Sequence, residues 1–156
     1  MNYMTFEKMG GMVGENLGTS SWQTVTQEAV NEFANCTGDR QWIHIDVERA
    51  KKESPFGGPV AHGYLTLSLL SAMAMEIGVA PKGTAAALNY GLDKVRFLSP
   101  VLVGSKVRLH TKLVGFDRKD NGQYLMKTEN SMEIEGADKP ALLAESLAIL
   151  VPGPDA

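Results

Sequence analysis

The chain has 156 residues, 44% of them apolar and 21% charged, and a formal net charge of -3. That length suits one domain, and the balance is that of an ordinary globular protein rather than a disordered or collagen-like chain. Without a dense block of Lys or Arg, the charge argues against general affinity for nucleic acid, which needs a basic patch to neutralise phosphates. A local basic site for a phosphate-bearing small molecule stays open.

Cys36 is the one cysteine, so no disulfide can form within the chain and a reducing, cytoplasmic setting is expected. The opening residues MNYMTFEKMG lack a basic stretch followed by an apolar run, and the longest apolar stretch is interrupted by Thr66, Ser68 and Ser71. Neither a secretory leader nor contact with a membrane is expected.

Residues 10–18 are rich in Gly and read as an opening loop, with Trp22, Thr24 and Thr26 in an extended approach behind it. A helix follows, with Thr26 as N-cap, Glu28 in its first turn, Val30, Phe33 and Ala34 on one face, and Gly38 as its stop. Asp39 therefore stands just past a helix end. Ile43, Ile45 and Val47 suggest a short extended piece, and residues 47–52 a small helix before the turn cluster SPFGGP. So long a connection is more often functional than decorative, since most span about 4–6 residues.

Residues 63–77, GYLTLSLLSAMAMEI, are apolar nearly all round, and at that length a helix is favoured over a strand. Such a helix needs something wrapped round it. Strand-like runs at 85–97, 106–114, 123–134 and 142–151 supply the wrapping. Alternation is clearest where Val107, Leu109, Thr111 and Leu113 interleave with Lys106, Arg108, His110 and Lys112. The expected fold class is α+β, an antiparallel sheet curled round a long central helix, with no repeat or linker dividing the chain.

Of the three histidines, His110 falls on the polar face of a strand and reads as an exposed sheet residue. Asp39 and His44 flank a short step, GDRQWIH, and by spacing alone would read as a turn Asp and a half-buried His. The segment AHGYLTLSLLS changes their weight, because His62 and Gly63 lead straight into the buried helix. A helix N-terminus offers unpaired N–H groups and partial positive charge, and glycine lets a ligand come close to the backbone. An electrophile developing oxyanion character needs that environment.

GDRQWIH, followed by GPVAHGYLTLSLLS and then NYGLDKVRFLSPVLVGSKV, resembles the MaoC-like dehydratases, also called (R)-specific enoyl-CoA hydratases or hydratase 2, in the nodulation protein N-like branch. The resemblance runs from about residue 22 to residue 151 and implies one hot-dog domain over residues 1–156. It implies reversible addition of water to a trans-2-enoyl-CoA, giving an (R)-3-hydroxyacyl-CoA, with the coenzyme A thioester as substrate and no cofactor. By position it implies Asp39 and His44 as the catalytic pair, Gly63 as the amide that polarises the thioester carbonyl, Ser71 as a serine that holds the aspartate, and His62 in support. It further implies a homodimer with two sheets joined and each acyl tunnel near the subunit boundary. Gln41 and Trp42 stand where the family has Asn and Pro, so the loop between the pair must take its shape from other contacts.

Asp39, His44 and His62 are of metal-binding type, yet no HExxH or paired-cysteine spacing accompanies them, and no metal is expected. Cys36 reads as a small buried hydrophobe, Lys51 and Lys52 as a solvated helix face, and Lys94 and Arg96 as polar-face strand residues with CoA phosphates as the other possibility. Met73 and Met75 read as core filling that would also suit an acyl chain. The nearest alternatives are a hot-dog acyl-CoA thioesterase and a non-catalytic acyl-CoA or acyl-carrier binding module.

Overall fold

A computed structural model describes residues 4–154, so the first three and last two residues of the expected domain lie outside the described residues. The first described element is a short helix that ends where the Gly-rich stretch begins. In α1 (Phe6–Gly10) the Thr5 hydroxyl accepts from the Lys8 N–H at 3.3 Å, and Phe6 and Met9 are buried. Strands β1 (Asn16–Thr19) and β2 (Gln23–Thr24) follow, so part of the expected opening loop belongs to the sheet.

Helix α2 (Gln27–Thr37) has the expected limits. Thr26 Oγ1 accepts from the Ala29 N–H at 3.2 Å, and Gly38 closes the helix at φ 82°, a left-handed conformation that suits a residue without Cβ. Its buried residues, Val30 and Ala34, sit at i and i+4 on one face. Cys36 lies two residues beyond Ala34 and so on the opposite side, and it is exposed. The expectation of a buried thiol is thereby corrected.

A second correction concerns residues 42–45. Instead of an extended piece they form one helical turn, α3 (Trp42–Ile45), because the apolar alternation is too short to distinguish the two periods. The turn buries His44 and leaves Gln41 outside. Helix α4 (Val47–Glu53) follows, its start capped by Asp46 Oδ1 accepting from the Arg49 N–H at 3.0 Å. Lys51 and Lys52 are exposed on it as expected, Lys51 pairing with Glu48.

The central helix α5 (Gly63–Ile77) matches its expected span. Four long strands complete the chain: β3 (Thr84–Phe97), β4 (Lys106–Arg118), β5 (Tyr124–Ile134) and β6 (Leu142–Pro152). All strand pairs are antiparallel, in the order β1-β4-β5-β6-β3, with β2 also on β4. Strands β4, β5 and β6 form a meander, whereas β3, which leaves α5, crosses to the far edge beside β6.

One core cluster joins Val30 of α2 and Leu65, Leu70 and Met73 of α5 to Val107, Leu109, Met132 and Leu142 of the sheet. A second joins Phe6, Met9 and Val79 to Leu113, Met126 and Leu150. Within one chain α5 is not covered all round, however. Tyr64 and Met75 are 70% and 78% exposed, and with Ser68 and Ser71 they mark a single uncovered face at i, i+4, i+7 and i+11. The sheet therefore encloses one side of the helix, not every side.

Candidate active site

Three connections bring the Asp39 segment to the start of α5. Gln27 of α2 donates from Nε2 to the His44 carbonyl at 2.8 Å, His44 Nδ1 lies 2.6 Å from the Val60 carbonyl, and His62 Nε2 lies 2.9 Å from the Asp39 carbonyl. The His44 and His62 rings stack with centroids 3.8 Å apart, and Phe33 lies 5.0 Å from His62 on the α2 side. Both histidines are buried, at 7% and 2% exposure, while Asp39 at the rim is exposed. One ligand-type atom from each of Asp39, His44 and His62 falls within 4.8 Å of the others.

Contacts around Gln41 and Trp42 show what shapes the loop without Asn and Pro. Asp39 Oδ1 accepts from the Gln41 N–H at 3.4 Å, an Asx-type turn, and the Arg49 guanidinium lies 4.3 Å from the centre of the Trp42 ring. The carboxylate and the ring thus take over the shaping of the turn.

A carbonyl oxygen can only accept, so both histidine contacts define a tautomer. His44 carries its hydrogen on Nδ1, toward Val60, and keeps Nε2 as the bare nitrogen. His62 carries its hydrogen on Nε2, toward Asp39, leaving a buried Nδ1 without a partner. Burial lowers the His44 pKa below the ordinary imidazole value, and His62 pushes the same way; the Val60 carbonyl and Asp39 oppose them and do not prevail. The net result favours neutral His44, although a neighbouring carboxylate alone would favour its protonated form. As for a metal, His62 would have to release the Asp39 carbonyl before its Nε2 could bind one.

Gly63 follows His62 directly and opens α5, whose N-terminus has no side-chain cap. Its leading N–H groups are therefore free for a ligand oxygen. A Cβ on Gly63 would lie 3.1 Å from the Phe97 ring of β3, so glycine allows close packing of that side wall. Ser71 is placed differently. It sits eight residues further along α5, about 12 Å along the axis, and within one chain no hydrogen bond joins it to Asp39 among the described residues.

Ser71 instead lines a trough between α5 and the β6–β3 half of the sheet. The trough consists of two cavities of about 370 and 320 Å³ that share Leu70, Ser71, Asn89, Ser146 and Ala148. It starts beside Tyr64, next to Gly63, and runs to Met75 and Gly78 at the other end of the helix. Thr128 and Asn130 form part of its floor. These two were not anticipated as lining residues; the available signal was polarity at the inward-facing positions of β5.

The remaining candidates stand apart. His110 is half-exposed on the outer face of β4, with Nε2 2.6 Å from Glu133 and Nδ1 2.9 Å from Thr19 Oγ1. Lys94 pairs with Glu145, as does Lys127. Arg96 donates to the Val95 carbonyl at 2.7 Å.

A long helix against a curled antiparallel sheet, with a loop carboxylate and a buried imidazole at the helix start, defines a hot-dog protein of hydratase type. The family model described as "MaoC like domain" matches residues 8–135. The 3-hydroxyacyl-thioester dehydratase Z of Mycobacterium tuberculosis is 47% identical over 146 residues, spanning 92% of this chain and 95% of that protein. Nodulation protein N of Rhizobium meliloti is 44% identical over 151 residues, spanning 96% and 92%. Among solved structures, a monoamine oxidase regulatory protein from Archaeoglobus superposes with a TM-score of 0.79 at 27% identity, covering 97% of this chain and 96% of that one. An (R)-hydratase from A. caviae involved in PHA biosynthesis gives 0.71 at 21% identity, covering 87% and 94%, a likeness of fold. The chain belongs to the MaoC-like dehydratase family and is a hydro-lyase. Among its described residues no helix is long and apolar enough to cross a membrane.

Proposed function

We propose that the protein is an (R)-specific enoyl-CoA hydratase, adding water reversibly to a trans-2-enoyl-CoA to give an (R)-3-hydroxyacyl-CoA. The observation that carries this reading is the bare, neutral Nε2 of His44 beside the Asp39 carboxylate at the uncapped start of α5. The thioester named for the Mycobacterium tuberculosis relative supports the substrate class. Asp39 and His44 Nε2 each accept one hydrogen of a water molecule, which aims its oxygen at the β-carbon of the enoyl group.

As the water oxygen bonds the β-carbon, one of its protons passes to His44. The π electrons move onto the thioester oxygen as an enolate. The Gly63 N–H, at the positive end of α5, stabilises that oxyanion. His44 then returns its proton to the α-carbon, the carbonyl re-forms, and the pair ends as it began. His62 acts as a positioning residue, holding the Asp39 backbone and stacking under His44. The net step is redox-neutral and calls on no cofactor.

The open edge of β3 supports a homodimer. Among the described residues this 14-residue strand pairs only with β6, and Leu88, Tyr90, Leu92 and Phe97 along it are exposed by 54%, 67%, 46% and 47%. A long apolar edge of this kind is normally covered, and a second copy laid along it would also roof the trough. A light-scattering mass equal to one chain would refute it.

Incubation with crotonyl-CoA tests the activity. Hydration removes the enoyl-thioester absorbance without releasing thiol. A thioesterase releases thiol, and a binding module does neither. Loss of absorbance that Asp39→Asn abolishes is expected; thiol release, or no change, would refute the reading.

A further inference from the structure

The face of the sheet turned toward α5 is apolar except for one band that crosses it. On β5 the inward residues are Met126, Thr128, Asn130, Met132 and Ile134, all buried. Thr111 of β4 stands opposite Asn130, and Ser146 of β6 opposite Thr128. Asn89 of β3 pairs with Ala148, the next inward residue of β6. Each of the four long strands thus contributes a polar side chain to a diagonal band over three adjacent inward rungs, beneath the trough.

The hydrogen bonds within the band leave a definite remainder. Thr111 Oγ1 donates to Asn130 Oδ1 at 3.0 Å, and Asn130 Nδ2 donates to Thr128 Oγ1 and Ser146 Oγ, both at 3.0 Å. The amide hydrogens of Asn130 are engaged, and the Thr128 and Ser146 hydroxyls serve as acceptors. Each of those hydroxyls keeps its own hydrogen, for which the chain supplies no acceptor among the described residues. Both line the cavity of about 320 Å³, together with Ser71 and Asn89. The other walls are apolar, with Ala74, Ala87 and Ala148 beside the larger Leu70, Met126 and Leu150.

A band whose task was only to tie strands together would close on itself. An alkyl chain laid over this one would strip water from two hydroxyl donors and offer nothing in return. A few convergent polar groups in an apolar pocket of roughly 300–1,000 Å³ are instead what orients a ligand. We propose that Thr128 and Ser146, set by Asn130, form a subsite for an acceptor oxygen, hydroxyl or carbonyl, carried on the acyl chain beyond the reacting double bond. The inference rests on the hydratase reading, which places the thioester at Gly63 and the acyl chain in the trough.

The position of that oxygen follows from geometry. Ser71, beside the band, lies about 12 Å along α5 from Gly63. An extended chain gains roughly 1.2 Å per bond, from the 3.3–3.6 Å spanned by a three-bond residue, so about ten bonds cover the distance.

The test compares trans-2-enoyl-CoAs of about six to twelve carbons, each as the plain alkyl compound and with a terminal hydroxyl or oxo group, using the wild-type protein and the Thr128→Val/Ser146→Ala double variant. At one length the oxygenated substrate should show kcat/KM at least ~10-fold above its alkyl counterpart, since a site built around a hydrogen bond discriminates strongly against the analogue that lacks it. The hydroxyl and oxo arms tell which oxygen is preferred. The double variant should lose that preference and still hydrate crotonyl-CoA, whose chain is too short to reach the band; Ser146→Ala alone serves if the double variant melts early. Equal kcat/KM at every length, or a preference that survives the double substitution, would overturn the subsite while leaving the hydratase reading intact. If no enoyl thioester is hydrated, that reading falls first, and calorimetric binding of the saturated acyl-CoA and hydroxyacyl-CoA pairs decides the subsite independently, equal affinities overturning it.

Discussion

Replacing His44 with Asn separates the nitrogen to which the proposed mechanism gives a catalytic role from the structural one. The amide nitrogen of Asn reaches about as far as Nδ1, so the variant can still donate to the Val60 carbonyl, now met at 2.6 Å by the ring. What it lacks is Nε2, the acceptor to which the proposed mechanism assigns the water. Loss of a general acid–base group lowers the rate by roughly 10²–10⁴-fold, equivalent to about 3–5 kcal/mol of barrier at ~1.4 kcal/mol per tenfold. The structural loss is smaller. The stack on His62, with centroids 3.8 Å apart, is removed, and ring pairs of this kind contribute about 0.5–1.5 kcal/mol. For a chain of this size a melting temperature falls by about 2–4 °C per kcal/mol. Crotonyl-CoA turnover and a circular-dichroism melt, run on the same preparation, should therefore diverge: activity nearly gone, the melt displaced by only a few degrees. Turnover within about threefold of wild type would refute the role of Nε2, because a general acid–base group typically contributes at least about 10²-fold.

Because burial favours neutral His44, the acid limb of kcat/KM should lie below the ordinary histidine value of about 6.5, and a limb at or above it would contradict the reading. The same depression has a stability consequence: between the folded pKa and about 6.5 the unfolded chain binds more protons at this site, so stability is fully present above that window and falls as pH drops through it. Melts of wild type and His44→Asn from neutral to mildly acidic pH should show the variant with the flatter dependence. His62→Leu removes the donor to the Asp39 carbonyl and should lower kcat by roughly 10–100-fold through misplacement of the pair, whereas His62→Gln, which can keep an N–H near the Nε2 position, should recover much of it; equal losses in both would argue against positioning. Thr26→Ala removes the α2 cap at about 1 kcal/mol, so the melt should fall by about 2–4 °C while crotonyl-CoA kinetics stay near wild type.

Much of this protein is legible from local sequence. Thr26 and Gly38 set the limits of α2 through groups that act within one turn, and the apolar length of residues 63–77 sets α5. The alternation from Val107 to Leu113 identifies its strand and its inward face. GDRQWIH and the HG pair name Asp39, His44, His62 and Gly63, the residues found together at the start of α5. Where the sequence reading failed, the deciding contacts were distant ones. The turn at Trp42–Ile45 depends on Gln27 and Val60, 17 and 16 residues away from His44, and a four-residue apolar alternation carries no trace of them.

Sequence by itself therefore determined which groups are the candidates for the chemistry, since donor and acceptor types and helix ends are local properties. Only the tertiary structure decided their state. The neutral form of His44 and its bare Nε2 follow from burial and from one carbonyl in another segment. The position of Ser71 in the trough, away from Asp39, and the exposed thiol of Cys36 follow from which helix face meets the sheet. So does the meeting of Thr111, Thr128, Asn130 and Ser146, which lie on three strands and come to adjacent rungs only through their register. Register and burial are set by the whole packed core, and no window along the chain contains them.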